Sequence, residues 1–129
     1  METVMVMIDA CVFIDYFRSK NKENTFLAKL TQGSRKCCTS AVAKYEVLVG
    51  ADEKDMDEWR RIFDKITVFA FGDATINSAR MIYRQLKQEN KLIELGDLLI
   101  VATAIANDLP LATFNRSHFE RIRDLRLIG

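Results

Sequence analysis

Residues Val4 to Asp9, with the sequence VMVMID, carry the strongest structural signal in this chain. Five consecutive apolar residues are typical of a strand that is buried on both faces, as in a parallel sheet. In open α/β sheets, ligands bind in the crevice beyond the carboxyl ends of the strands. Asp9 therefore stands where a site would open, at the tip of what we expect to be the central strand. Asp is also a preferred helix N-cap, and capping is the alternative role for Asp9.

The size and composition of the chain predict a single domain over residues 1–129. The sequence has 129 residues, of which 49% are hydrophobic, with one Pro and five Gly. That is enough apolar material for a core and too little Pro and Gly for a low-complexity linker. The 19 basic and 18 acidic residues give a formal net charge of +1. This balance argues against binding of nucleic acid by bulk electrostatics, so any such contact must be local or carried by metal ions.

The cysteine and histidine content favours a reduced, cytoplasmic protein without a zinc site. Cys11, Cys37 and Cys38 form neither a sensible disulfide framework nor a Cys-x-x-Cys pair, and His118 is the single histidine. The apolar start is too short for a signal peptide, and the longest apolar run, residues 98–106, is far shorter than a membrane span. We therefore expect no membrane partner.

Short apolar runs alternate with helical patterns along the whole chain. We expect strands near residues 4–8, 37–39, 67–71, 110–113 and 125–128. We expect helices near residues 12–19, 26–33, 40–50, 59–66, 73–91 and 97–107, and a short turn near 118–122. Strands separated by helices indicate the α/β class, with a parallel central sheet flanked by helices.

Glu46 is the second carboxylate that the pattern singles out. Val42, Tyr45 and Val49 define an apolar stripe on the predicted helix, and Glu46 falls beside Val42 on the same side. A charge that faces inward is expensive unless it is paired or bound to metal. The alternatives are a partner such as Lys44 or a position at the edge of the stripe.

Asp97 is the third carboxylate, and it begins a helix that is apolar on all sides. Eight of the nine residues from 98 to 106 are apolar, which predicts a buried helix. A helix N-terminus stabilises negative charge, so Asp97 suits this position either as a cap or as a site residue.

Polar residues also follow the predicted strand 110–113. Thr113 and Asn115 would emerge at the same end of the sheet as Asp9 and could face it. Asn115 could instead be a turn residue or a cap, and His118 is expected to be a hydrogen-bonded turn histidine. Carboxylate and amide oxygens gathered without His or Cys ligands suit Mg²⁺ or Mn²⁺, which would also offset the repulsion between the acids. Such a cation can activate water for cleavage of a phosphodiester.

The order of these motifs resembles that of PIN-domain ribonucleases, in particular the VapC toxins of type II toxin–antitoxin systems. The likeness rests on the strand into Asp9, the segment YEVLVG around Glu46, GDLLIVATA around Asp97, and LPLATFNRSHF around Thr113 and Asn115. It implies a PIN-like, three-layer α/β/α fold and hydrolysis of RNA with Mg²⁺ or Mn²⁺. By position, the metal ligands would be Asp9, Glu46 and Asp97, with Asn115 and Thr113 in the catalytic site. The resemblance also implies a homodimer and a cognate antitoxin.

The chain departs from this family at two places. Ala10 and Cys11 follow the first Asp, where the family commonly has Thr or Ser directly after it. Asn115 stands where an Asp is frequent, which subtracts one negative charge. We interpret both departures as tuning of the site.

Two other functions remain open from the residues alone. One is a phosphoryl-acceptor domain that uses Asp9, although the chain lacks a second Asp at the Asp-x-Asp spacing. The other is a catalytically weak PIN-fold module for protein interaction or RNA binding, for which aromatic residues could form a groove. Those residues are Phe13, Phe17, Trp59 and Phe63.

Overall fold

The computed structural model describes residues 4–33 and 35–129, so the predicted start of the domain at residue 1 lies outside the described residues. The strands are β1 (Val4–Ile8), β2 (Arg35–Ser40), β3 (Thr67–Phe69), β4 (Leu111–Ala112) and β5 (Leu127–Ile128). The helices are α1 (Ala10–Arg18), α2 (Phe26–Thr31), α3 (Ala41–Val49), α4 (Met56–Asp64), α5 (Asp73–Gln88), α6 (Leu95–Ala106) and α7 (Arg116–Phe119). Two 3₁₀ turns lie at Lys22–Asn24 and Glu53–Asp55.

The five strands form one parallel sheet in the order β3-β2-β1-β4-β5. β1 is the central strand, as its unbroken apolar run predicts, and its residues Val6, Met7 and Ile8 are fully buried. Helices cover both faces of the sheet, α1 packing on α2 and α3, and α5 packing on α6. The predicted α/β class, with a parallel sheet between layers of helices, is confirmed.

The helix starts follow local capping chemistry. Asp9 caps α1, and the Ser40 hydroxyl caps α3 by accepting a hydrogen bond from the Ala43 backbone N–H at 3.0 Å. Both caps come directly after strands of the sheet, so the same few residues end a strand and begin a helix. This arrangement places the starts of α1 and α3 side by side at one edge of the sheet, since β1 and β2 are parallel neighbours.

The predicted apolar stripe of α3 is wrong. Tyr45 and Val49 are 65% and 66% exposed, whereas Ala43 and Val47 are buried. The two sets lie on opposite sides of the helix at 100° per residue, and the core takes the side that begins next to the buried Ser40 cap. Glu46 consequently lies at the edge of the buried face rather than within the apolar stripe.

Several boundaries also differ from the sequence prediction. α6 begins at Leu95, so Gly96 lies inside the helix rather than before it, and residues 116–119 form a short helix in place of a turn at 118–122. On α5, Ile76 and Tyr83 are exposed, whereas Ala79, Ile82 and Leu86 are buried. Among the described residues, no helix combines the length and apolarity that crossing a bilayer requires.

Candidate active site

The site is built where β1 and β4 end side by side. Register pairs Met7 with Leu111 and Ile8 with Ala112, which brings the next residues, Asp9 and Thr113, together. Asp9 is only 3% exposed, and its Oδ1 accepts a hydrogen bond from the Ala10 backbone N–H at 2.8 Å. Asp9 is therefore the N-cap of α1 through one oxygen, and its second oxygen faces Thr113.

Thr113 holds that second oxygen of Asp9. The Thr113 hydroxyl donates to Asp9 Oδ2 at 2.7 Å and accepts from the Asn115 backbone N–H at 3.0 Å. Both Asp9 and Thr113 are buried, so this chain of hydrogen bonds fixes the carboxylate with little access for water. The predicted meeting of Thr113 and Asp9 occurs in the structure.

Cys11 adds a weaker contact to the same carboxylate. Its Sγ donates to Asp9 Oδ2 at 3.5 Å and lies 3.8 Å from Thr113 Oγ1. Burial and the neighbouring charge of Asp9 raise the pKa of the Cys11 thiol, so it stays protonated and serves as a donor. The thiol and the Thr113 hydroxyl together order Asp9, although this chain has Ala10 where the family commonly has a hydroxyl.

Glu46 reaches the site from α3. Its carboxylate packs against Gly96, where an added Cβ would stand 3.1 Å from Glu46 Oε2. This close approach explains a glycine in the first turn of α6, a position where glycine costs helix stability. Burial raises the pKa of Glu46 first, and the negative charges of Asp9, Asp97 and Glu94 raise it further.

Asp97 lies in the first turn of α6, directly after that glycine. Its side chain is 18% exposed. Burial and the charge of Asp9 raise the pKa of Asp97, and His118 opposes them. The charge of Asp9 thus raises the pKa values of both Glu46 and Asp97, so the three acids act on one another electrostatically.

Asn115 does not join the acids through its side chain. It is exposed and occupies the N-cap position of α7 without capping it, and its contribution is the backbone N–H given to Thr113.

Sequence reasoning missed two residues beside the acids. Nδ1 of His118 lies 3.6 Å from Asp97 Oδ2, slightly too far for a hydrogen bond, and the imidazole is 56% exposed. His118 therefore has a carboxylate neighbour, which the expectation of a hydrogen-bonded turn histidine did not include. Glu94 stands at the N-cap position of α6 and raises the pKa values of Glu46 and Asp97. Its spacing of three residues from Asp97 is the signal that could have found it.

The acids have the donor chemistry for a hard divalent cation. Their carboxylates offer oxygen ligands of the kind that Mg²⁺ and Mn²⁺ prefer, and their mutual repulsion calls for positive charge. Within residues 4–33 and 35–129, however, no group of three or more His, Cys, Asp or Glu side chains is arranged to hold a metal ion as it stands. The side chains of Asp9, Glu46 and Asp97 are neighbours without forming a ready coordination shell.

Comparison with known proteins gives consistent matches over nearly the whole chain. A family model for the PIN domain matches residues 6–125. Ribonuclease VapC1 of Methanocaldococcus jannaschii is 32% identical over 127 residues, covering 98% of this chain and 87% of that protein.

Two solved structures have the same fold. VapBC-1 from nontypeable Haemophilus influenzae matches with a TM-score of 0.83 at 18% identity, covering 98% of both chains. A toxin–antitoxin complex from Klebsiella pneumoniae matches with a TM-score of 0.70 at 23% identity, covering 96% of both chains. At these identities, the two structures establish a shared architecture.

Proposed function

The chain belongs to the PIN-domain family, and we propose that it is a metal-dependent endoribonuclease, the toxin of a toxin–antitoxin pair. The observation that supports this proposal is that the charge of Asp9, which directly follows the central strand of the parallel sheet, acts on both Glu46 and Asp97. Burial and mutual repulsion raise the pKa values of Glu46 and Asp97, so the site concentrates negative charge that a cation would offset. The similarity to a named ribonuclease over 98% of this chain supports RNA as the substrate.

We assign Asp9, Glu46 and Asp97 as the residues that would hold Mg²⁺ or Mn²⁺. A bound divalent cation supplies charge stabilisation to the phosphodiester and acidity to the attacking water. Asp9 is the most rigid of the three, because the Ala10 N–H and the Thr113 hydroxyl each hold one of its oxygens. Asp97 sits in the first turn of α6, where a bound cation would offset the burial and the Asp9 charge that raise its pKa.

Thr113 and Asn115 have supporting roles in this proposal. Thr113 orients Asp9, and the Asn115 backbone N–H orients the Thr113 hydroxyl. The Asn115 amide side chain is exposed at the mouth of the site, where it can hydrogen-bond to substrate or water. Both residues thus contribute to catalysis without replacing a carboxylate.

We further propose a cognate antitoxin and a homodimer as partners. The toxin–antitoxin complex among the structural matches supports the first, since its chain covers nearly the same length. The exposed Tyr45 and Val49 on α3 support the second, because apolar side chains on a helix surface favour association. The cytoplasmic location stays a prediction from the cysteine content.

The decisive test is cleavage of RNA by the purified protein. A panel of single-stranded RNAs is incubated with Mn²⁺ or Mg²⁺, with and without EDTA, and cleavage is followed on sequencing gels. We expect cleavage that requires the metal and falls at least about 100-fold in Asp97→Asn, more than the loss of an outer-shell partner costs. Asp108→Asn is a matched control, because Asp108 is exposed and pairs with Arg126.

Two results would contradict a metal site at these acids. Cleavage that is indifferent to EDTA would exclude the metal, and full activity of a folded Asp97→Asn variant would exclude the site. Recovery of a phosphoryl group on Asp9 after incubation with a phosphodonor would favour the phosphoryl-acceptor alternative instead. RNA binding without cleavage across the panel would indicate a binding module.

A further inference from the structure

The arginines of the C-terminal segment fall into two groups. Between residues 116 and 126, Arg116 pairs with Glu120, Arg123 with Glu89, and Arg126 with Asp108. Arg121 takes part in none of the ion pairs among the described residues. Its Nη1 instead donates to the backbone carbonyls of Lys91 and Leu92, at 3.2 and 3.5 Å.

These contacts fix the Arg121 guanidinium without neutralising it. Both of these contacts are made by Nη1, so they do not use the Nε and Nη2 donors of the guanidinium. A guanidinium that is held in place loses less conformational freedom when it binds a second group. Arg121 is therefore prepared to bind an anion from solution.

Arg121 also lies next to the acid site. A cavity of about 200 Å³ is lined by Ile93, Glu94, Asp97, His118 and Arg121. A second, more open cavity shares Arg121 and continues along Lys91, Asn90, Ser117 and Glu120. Arg121 lines both cavities and so borders a path that leaves the acids between α7 and the α5–α6 loop.

We propose that Arg121 binds a backbone phosphate of the RNA, next to the phosphodiester that is cleaved. This inference rests on the proposed function, because it takes the acids Asp97 and Glu94 as the cleavage end of the same groove. A planar guanidinium matches two phosphate oxygens, and the pairing gives charge-assisted hydrogen bonds. The acids would repel a phosphate from this cavity, and the positive charge of Arg121 offsets that repulsion on the side of α7.

The test compares Arg121→Ala with Arg123→Ala, a variant that removes an exposed arginine already paired with Glu89. On an RNA that the wild type cleaves, we expect Arg121→Ala to raise KM by roughly 10-fold or more while kcat changes little. The slope of log KM against log salt should fall by about 0.7, the contribution of one phosphate contact to a single strand. Arg121→Lys should keep the slope and recover part of the affinity.

Binding is measured separately from cleavage in the Asp97→Asn background, by fluorescence anisotropy with the same labelled RNA. Weaker binding after Arg121→Ala supports phosphate binding by Arg121 whether or not the wild type cleaves. Absence of cleavage by the wild type would overturn the proposed function, and with it the placement of this phosphate next to a cleaved bond. An Arg121→Ala variant that matches Arg123→Ala in KM, salt slope and Kd overturns the inference, while wild-type cleavage would leave the proposed function standing. Thermal denaturation confirms that both variants fold, and Arg121→Lys provides the comparison if Arg121→Ala does not.

Discussion

The first turn of α6 and the two turns that follow it differ sharply in what surrounds them. The first turn carries Gly96 against the Glu46 carboxylate and Asp97 beside His118, with Glu94 at the cap position. The following turns pack in the core, and their buried residues are Leu98, Ile100, Val101, Ala102, Thr103 and Ala104. One helix thus joins a charged cleft to the apolar centre of the protein.

This contrast shows how the fold tolerates crowded acids. The apolar turns of α6 supply the free energy of burial, whereas Asp97 and Glu46 have raised pKa values because their charged forms are disfavoured. The rigid apolar part holds the charged part in place. Substitutions in the two parts should therefore separate stability from activity.

The largest effect is expected from Ile100→Ala, in the apolar part. Ile100 is fully buried, and removing its side chain should lower the free energy of unfolding by about 2–5 kcal/mol, the usual cost of a cavity. Urea denaturation measures this change, and Ile100→Val should cost only about 0.5–1.5 kcal/mol. If Ile100→Ala also lowered RNA cleavage per folded molecule, stability and activity would not be separable between the two parts of α6.

The next effect is expected from Thr113→Val, at the wall of the site. The substitution removes the hydroxyl that donates to Asp9 Oδ2, and should lower the affinity for Mn²⁺ by about 10–100-fold. It should also cost about 1–3 kcal/mol of stability, because a buried carboxylate loses a donor. Metal titration and urea denaturation measure both, with Thr113→Ser as the control that keeps the hydroxyl. Unchanged metal affinity in a folded Thr113→Val would exclude Asp9 as a positioned ligand.

A smaller effect is expected from Gly96→Ala, at the junction of the two parts. Alanine favours the helix by up to about 1 kcal/mol, but its Cβ would stand 3.1 Å from Glu46 Oε2. Since the carboxylate is the free end of a half-buried side chain, it can move aside and leave the fold intact. We expect stability to be kept or slightly raised while metal affinity falls several-fold. Isothermal titration with Mn²⁺ checks this, and a variant with normal affinity would show that Glu46 is not fixed there.

The smallest effect is the pH dependence of the metal-free protein. Glu46 and Asp97 have pKa values raised above their ordinary 4.5 and 3.8, so the folded state binds these protons more tightly than the unfolded state. The contribution of these two groups to the free energy of unfolding therefore falls as pH rises from the ordinary values through the raised ones. Both side chains keep partial contact with solvent, which screens their charges and keeps the effect small.

Urea denaturation in EDTA across this pH range measures that slope. Asp97→Asn removes one of the two groups and should flatten the curve, while the variant itself is at least as stable as the wild type at neutral pH. A steeper dependence of stability on pH in Asp97→Asn would mean that the helix N-terminus and His118 stabilise the Asp97 anion, and that its pKa is lowered rather than raised.

The sequence predicts the sheet better than the helix faces. β1 matches its prediction because an unbroken apolar run has one physical interpretation in a parallel sheet, and Asp9 follows it directly. The buried side of α3 could not be predicted in the same way. Both sides of α3 carry apolar residues, Tyr45 and Val49 on one side and Ala43 and Val47 on the other, and only packing against the sheet selects the buried side.

The contacts of the candidate site were likewise predictable from the sequence only in part. Asp9 and Thr113 follow neighbouring parallel strands, so their meeting is a consequence of strand order. The contact of His118 with Asp97 and the position of Arg121 depend on how α7 and the residues after it lie against α6. No spacing within one element indicates such contacts, and sequence patterns therefore missed them.

The double role of Asp9 has a consequence for how occupancy of the cleft can be observed. The carboxylate that would bind a cation also anchors the first turn of α1 through the Ala10 N–H, which is buried. Any ligand that stabilises this carboxylate in its present rotamer should slow local opening of the helix start. Hydrogen exchange at the opening amides of α1 would then report on the cleft from inside the protein, without a label on metal or RNA.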